Sequence, residues 1–357
     1  MDSLTDSNKI PIKNLYYMLC YAWGHLAEKE FAKIAREDEK DIKHLLTRIL
    51  LVKLRSLIKR GYFKEYIGFR EETSTLRGKI LFQESINTFS FKRAKMHCEF
   101  EEMSHDILHN QIIKSILYYL IQSVKLEKEL KDEVIQVYEH FGGISRLQLH
   151  PSIFNKVKLH RSNQHYRFVL DICRFLYESL LINEGNTDEK FADFEREPKA
   201  MARLFEDFVR NFYKKETPEY RVFRENIYWE AEGEDLSYLP LMQTDISLES
   251  QTRKIIMDTK YYQHSLTQYK GSQKLISGNL YQLFAYLSNH KKASEKETIG
   301  ILLYPKTGQE LNLSYVVKGY QMQVYTVDLN QDWRSIHERL VEIVMNCQES
   351  LSNIASK

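Results

Sequence analysis

Cysteine is scarce. Cys20, Cys98, Cys173 and Cys347 are the whole complement of a 357-residue chain, and no two form a CxxC pair. A secreted disulfide framework is therefore excluded. His105 and His109 are spaced i, i+4, but no Glu follows His105 and no third ligand is evident, so the pair is a poor zinc motif. There is no G-x-x-x-x-G-K-[ST], so the chain should not hydrolyse a nucleotide by a P-loop mechanism. No apolar run approaches the roughly 20 residues of a membrane span. The first residues, MDSLTDS, are polar and acidic rather than a signal peptide, which leaves the cytoplasm as the default compartment. Net charge is nearly absent: 51 basic against 49 acidic residues give +2. Such a chain does not coat DNA by bulk electrostatics; if it binds DNA, the positive groups are local or a partner shares the work.

Apolar residues make up 43% and charged residues 28%, the composition of a globular protein. The length points to two domains. Tyrosine (23) and phenylalanine (18) are abundant, as core filling or as stacking surfaces for bases. Basic residues cluster at Lys53, Arg55, Lys59 and Arg60, and again at Lys92, Arg93 and Lys95 beside Phe89 and Phe91. A solvated helix face and a charged hairpin explain these clusters more simply than a nucleic-acid patch does.

No repeat or low-complexity stretch is visible. Helical periodicity is expected at 14–27, with Asn14 as N-cap, and at 40–60, 106–126 and 128–140. Residues 64–102 alternate like strands, including Leu76 to Phe82. Residues 1–165 thus read as an α+β domain with a strand-rich insertion. Residues 166–357 read as an α/β domain: helices at 166–182 and 201–214 around a loop at Asn183, strands at about 220–229, 241–248 and 254–261, a helix at 272–290, strands at 298–304 and 322–328, and a last helix at 332–350.

The chemistry concentrates in two runs, LMQTDISL from Leu241 and KIIMDTKY from Lys254, joined by a short polar turn. Whether the loop is Gln251-Thr252 or Ser250 to Arg253, the register puts Asp245 opposite Asp258. Directly opposed residues share a face, roughly 5 Å apart at Cβ. Lys260, two residues on, shares it too. Ile246, Leu248, Ile255 and Met257 point the other way, towards packed helices. Two crowded carboxylates repel and are costly to bury unless a divalent cation joins them, and oxygen ligands suit Mg²⁺ or Mn²⁺. The lysine can then orient or help deprotonate a water, or stabilise the pentavalent phosphate. A lone D-x-K is usually a solvent-facing pair; the second aspartate in register and the flanking helices argue otherwise. On the following helix, Gln282 and Tyr286 lie one turn apart, with Asn279 a turn earlier, positioned to hold a phosphate or a water; a core tyrosine and a surface glutamine are the plainer alternative. Glu206, at the edge of the apolar stripe of helix 201–214, is a candidate third carboxylate or a surface residue.

The constellation resembles the PD-(D/E)XK nucleases, and nearly the whole chain resembles McrC, the nuclease subunit family of the McrBC restriction systems. The resemblance is carried by Ile10 to Trp23 (IPIKNLYYMLCYAW), Leu76 to Ile80 (LRGKI), Asn110 to Lys114 (NQIIK), Gln243 to Ile246 (QTDI), Asp258 to Tyr262 (DTKYY) and Asn279 to Leu283 (NLYQL). The proline of the motif's "PD" is Thr244 here. The resemblance implies a Mg²⁺-dependent DNA endonuclease with its metal site at Asp245, Asp258 and Lys260. It further implies an McrB-like AAA+ GTPase hexamer as partner, which translocates modified-cytosine DNA and is docked and stimulated through residues 1–165. An activator of such a ring with a degenerate nuclease fold, and a stand-alone repair nuclease, are the competing readings. The intact acidic and basic set speaks against the first. The sizeable N-terminal domain without a DNA-binding motif speaks against the second.

Overall fold

The computed structural model describes residues 10–34, 41–124, 126–181, 197–261, 266–269, 272–290 and 296–346. Cys347 and the loop expected after Asn183 lie outside them. The chain divides into two units, one of residues 1–42 with 190–357 and the other of residues 43–189. This differs from the division expected at 165/166 on both sides. The first 42 residues join the C-terminal part, and the helix after residue 166 stays with the middle of the chain. Helical periodicity reports that a segment has an apolar face, not which core receives it.

Helix α1 (Ile12–Ala22) is followed by a 3-10 segment (Leu26–Ile34). The middle unit then comprises α2 (Ile42–Arg60), β1 (Glu65–Thr73), β2 (Lys79–Ile80), α3 (Phe82–Asn87), β3 (Met96–Ser104), α4 (Leu108–Gln122), α5 (Lys128–Glu139) and α6 (Arg167–Leu181). β1 and β2 flank β3 in a small antiparallel sheet. Leu76 to Phe82 contributes only the two-residue β2. Gly78 adopts φ +65°, where a Cβ would run into the Glu99 carbonyl and Phe100, and the chain then turns into α3. The helices bury Leu46, Ile49, Leu50, Ile113, Leu117, Val134 and Ile172 as their core.

The other unit continues with α7 (Pro198–Glu216), β4 (Arg221–Phe223), β5 (Asn226–Ile227), β6 (Met242–Gln243), β7 (Ile246–Glu249), β8 (Arg253–Thr259), β9 (Leu266–Tyr269), β10 (Ser272–Leu275), α8 (Ser277–Asn289), β11 (Glu297–Pro305), β12 (Asn312–Val317), β13 (Tyr320–Val327) and α9 (Trp333–Asn346). Its main sheet runs β12-β13-β11-β8-β7-β4. β8, β11 and β13 are parallel at its centre, with antiparallel strands outside. α8 makes the crossover from β8 to β11 that a parallel pair requires. A run such as KIIMDT, apolar on both parities, is what a strand covered on both faces needs. Ile255, Ile256, Met257 and Asp258 are all fully buried.

α1 packs on α7. Tyr21 lies 5.3–5.8 Å, ring centre to ring centre, from Phe208, Phe212 and Trp333. Asn14 is not the N-cap. Pro11 holds that position, and Asn14 lies inside the helix, donating to the carbonyls of Leu329 and Gln331 at 2.9 and 2.8 Å. Residues 272–275, expected in the helix, form β10 paired with β9, and β12 was not anticipated. Among the described residues no helix is long and apolar enough to cross a membrane.

Candidate active site

The hairpin has the expected register. Ile246 pairs with Met257, Ser247 with Ile256, Leu248 with Ile255 and Glu249 with Lys254. Ser250 N–H donates to the Arg253 carbonyl at 2.8 Å, which closes the turn over Gln251 and Thr252. Ile246, Leu248, Ile255 and Met257 form one fully buried face. The other face is also covered: Ile256 packs with Leu283, Tyr286 and Leu287 of α8 and with Leu302 and Tyr304 of β11.

Asp258 is fully buried at the end of β8. The Lys260 ammonium lies 2.9 Å from its Oδ1 and 2.8 Å from its Oδ2. The hydrogen bond is to Oδ1; Oδ2 is buried without an aligned donor. Burial pushes the Asp258 carboxyl up from 3.8 to about 7; the lysine pulls it down, and Asp245 pushes it further up. Asp245 sits in a bend one residue before β7. Its Oδ2 accepts from Thr259 N at 2.8 Å and from Thr259 Oγ1 at 3.1 Å, which fixes its carboxylate against β8 beside Asp258. These two carboxylates and an ammonium at the end of a buried sheet fit a hard divalent cation that retains water ligands. The buried oxygen without an aligned donor and the raised Asp258 both favour added positive charge there.

Gln282 and Tyr286 do share a face of α8, and they bond to each other. Gln282 Nε2 donates to the Tyr286 hydroxyl at 2.7 Å, and that hydroxyl donates to the Gln243 carbonyl at 3.0 Å. Tyr286 is 4% exposed, and burial raises its phenol above the usual range. The pair thus ties α8 to the strand that leads into Asp245. Asn279 Nδ2 donates to the Tyr304 hydroxyl at 2.9 Å. Glu206 is engaged elsewhere: Oε1 accepts from Arg210 at 2.9 Å and pairs with Arg224. Among the described residues no three acidic, histidine or cysteine side chains gather as a metal cage, so Glu206 does not complete one with the aspartates. Its stripe position marked the helix edge correctly but could not reveal two arginines within reach. Sequence reasoning does not single out Glu225 and Lys254, which bond to each other at 2.7 Å. The signal was present: a lysine inside an apolar strand, on the same parity as Asp258 and Lys260.

Residues 4–305 match the family described as McrBC 5-methylcytosine restriction system component. The chain belongs to this McrBC family. A curated relative, Type IV methyl-directed restriction enzyme EcoKMcrBC of Escherichia coli (strain K12), is 32% identical over 337 residues, covering 94% of this chain and 97% of the relative. A chain from the refined half-complex of a tetradecameric assembly of Thermococcus gammatolerans McrB AAA+ hexamers with bound McrC aligns at a TM-score of 0.58. It is 17% identical over 94% of this chain and 76% of its own length, so it is the fold that the two share.

The remaining features of this McrBC family chain belong to one unit or the other. The segment Ile10 to Trp23 is α1, in the unit that holds the aspartates. In the middle unit, Phe89 (55% exposed) and Phe91 (51%) project with Lys92 over the Phe89 ring at 4.9 Å, while Arg93 is paired with Glu72 at 3.0 Å. Arg55 is likewise matched by Glu133 at 2.7 Å, as a solvated helix face would be. His109 is buried, 3.2 Å from the Lys158 carbonyl and from Asn163 Nδ2, and burial lowers its basicity. It is a core histidine held through Nε2, with Nδ1 buried and unbonded, and His105 stacks on Tyr62 rather than joining it in a metal site.

Proposed function

We propose that this chain is the DNA-cutting subunit of a modification-dependent restriction complex, with a PD-(D/E)XK-type centre at Asp245, Asp258 and Lys260. The observation that carries this reading is the juxtaposition itself. In a chain of the McrBC family, Asp245 is bonded to the backbone beside a fully buried Asp258, which faces the Lys260 ammonium. Asp245 and Asp258 would hold Mg²⁺ or Mn²⁺ through carboxylate oxygens, Asp258 Oδ2 being the one without an aligned donor. A cation held there would supply Lewis acidity for phosphodiester hydrolysis. Lys260 keeps its proton at Nζ and offers positive charge where negative charge develops on the phosphate. The Gln282–Tyr286 pair holds α8 against the strand entering Asp245, and Gln282 is suited to orient a phosphate or a water.

An AAA+ hexamer is the partner this reading requires. It is supported by the shared fold with the T. gammatolerans chain, whose assembly is described as McrB AAA+ hexamers with bound McrC. The substrate would be DNA carrying modified cytosine, in keeping with the family's description as a 5-methylcytosine restriction component. The middle unit, with its exposed aromatic and basic tip, is the part suited to dock on and stimulate such a ring. In a reconstituted reaction with the partner GTPase, modified DNA and Mg²⁺, Asp245→Ala, Asp258→Ala and Lys260→Ala should each abolish cutting while GTP turnover is still stimulated. Full cleavage by Asp258→Ala would sink the assignment.

A further inference from the structure

The strand that carries Asp245 contains one residue too many. Phe223 pairs with Ser247, and Asn226 pairs with Gln243. Two residues on one side, Arg224 and Glu225, therefore face three on the other, Thr244 to Ile246. An extra residue on one strand of an antiparallel pair is a β-bulge, which bends the strand and re-aims a side chain. Thr244 N–H donates to the Glu225 carbonyl at 2.9 Å, but the return bond from Glu225 N–H goes to Thr244 Oγ1, at 3.0 Å, rather than to a carbonyl.

From there the protons run in a closed circuit. Thr244 Oγ1 meets Ser247 Oγ at 3.0 Å, and Ser247 Oγ donates to Glu225 Oε2 at 3.2 Å, returning to the residue where the chain began. Lys254 fixes the closing carboxylate: its Nζ is 2.7 Å from both Glu225 oxygens, and the residue is only 5% exposed. His290 Nδ1 stands 3.9 Å from the same carboxylate. A buried ion pair is weak support for stability, because desolvation offsets its attraction; fixing one arrangement among several is its better-attested use.

Here the arrangement fixed is the bend at Thr244. β7 pairs with β8 only as far as Ile246 and Met257, and the Thr259 N–H beyond them bonds the Asp245 carboxylate at 2.8 Å. The motif's proline could serve at Thr244 neither as N–H donor nor as hydroxyl.

We propose that Thr244, Glu225 and Lys254 are positioning residues that set this bulge, aim Asp245 at the divalent cation, and so tune the affinity of the site for it. None of the three touches the cation, and the proposal rests on the metal-site reading above. The test is Mn²⁺ titration calorimetry on the full chain, with thermal unfolding alongside, for wild type, Thr244→Val, Thr244→Ser, Glu225→Gln, Lys254→Met and Asp258→Ala. Groups that orient metal ligands typically change affinity about 10–100-fold when removed. Thr244→Val and Glu225→Gln should therefore weaken Mn²⁺ binding about tenfold, with Thr244→Ser, which keeps the hydroxyl, restored close to wild type. In cleavage assays the Mg²⁺ concentration for half-maximal rate should shift in parallel. Should Thr244→Val fail to fold, Glu225→Gln and Lys254→Met carry the same measurement. Folded variants with wild-type Mn²⁺ affinity, beside an Asp258→Ala protein that has lost it, would overturn the positioning role and leave the metal site standing. If Asp258→Ala also binds Mn²⁺ like wild type, the metal site falls and the proposal falls with it.

Discussion

Asp258 is the side chain whose surroundings have the largest consequence. Its carboxyl titrates near 7 in the folded chain against 3.8 ordinarily, because burial disfavours the charge. A folded value above the unfolded one means that this group's contribution is fully present below about pH 4. It is lost as pH rises through 7, since the unfolded chain releases the proton first. Each unit of such a displacement corresponds to about 1.4 kcal/mol. Asp258→Asn should therefore stabilise the metal-free chain at pH 8, by up to about 4 kcal/mol less whatever the Lys260 pairing contributes, and leave it little changed at pH 3, as read from unfolding midpoints across pH. Adding Mg²⁺ should raise the wild-type midpoint and not that of Asp258→Asn. A variant whose pH profile parallels the wild type would contradict the assignment. The Gln282–Tyr286 bond gives a second expectation. Tyr286→Phe removes a donor to the Gln243 carbonyl and should cost about 1 kcal/mol in denaturant titrations. Gln282→Ala, on a half-buried helix position, should reduce cleavage more than stability.

At the level of elements, α8 and β11 decide how closely the site is held. Gly300 lies in β11 beside Ile256, on the face that α8 covers. A Cβ built there would stand 2.7 Å from Leu287 Cδ1 and 3.0 Å from Leu283 Cγ. Gly300→Val should push α8 outward, with a cost of about 1–3 kcal/mol from overpacking. Because α8 carries Gln282 and Tyr286, the same variant should lower the cleavage rate at saturating Mg²⁺. Wild-type stability and rate together would mean that the helix can shift freely. The hairpin register was legible in the sequence, because the short polar turn puts Asp245 opposite Asp258 whether its loop is Gln251-Thr252 or Ser250 to Arg253. The breaks at 224–225 and 244–245 were not. A bulge leaves local alternation nearly intact and shows itself only when both partner strands are seen.

For the whole molecule, the two units change which pieces can be separated. A fragment of residues 166–357 was expected to fold as the nuclease domain. It would lack α1, whose Asn14 bonds the Leu329 and Gln331 carbonyls and whose Tyr21 bonds Glu216 at 2.8 Å within an aromatic cluster. It would also carry α6, which belongs to the other unit. We therefore expect that fragment to show no cooperative unfolding transition. Residues 1–42 joined by a flexible linker to 190–357 should show one, by circular dichroism, and should bind Mn²⁺ without stimulating the partner GTPase. Cooperative unfolding of 166–357 alone would refute this.

From the sequence alone came the class of each half, the hairpin register and the three residues Asp245, Asp258 and Lys260, because face, period and charge are local properties of a strand or helix. Three things waited for the tertiary structure. The arginines that occupy Glu206 come from its own helix and from the segment after β4. The bonds through Glu225, Thr244, Ser247 and Lys254 join three segments of chain. α1 packs with a core more than 150 residues away in sequence, Tyr21 against Phe208, Phe212 and Trp333. Each depends on which surfaces meet in space, and periodicity describes a surface without naming what covers it.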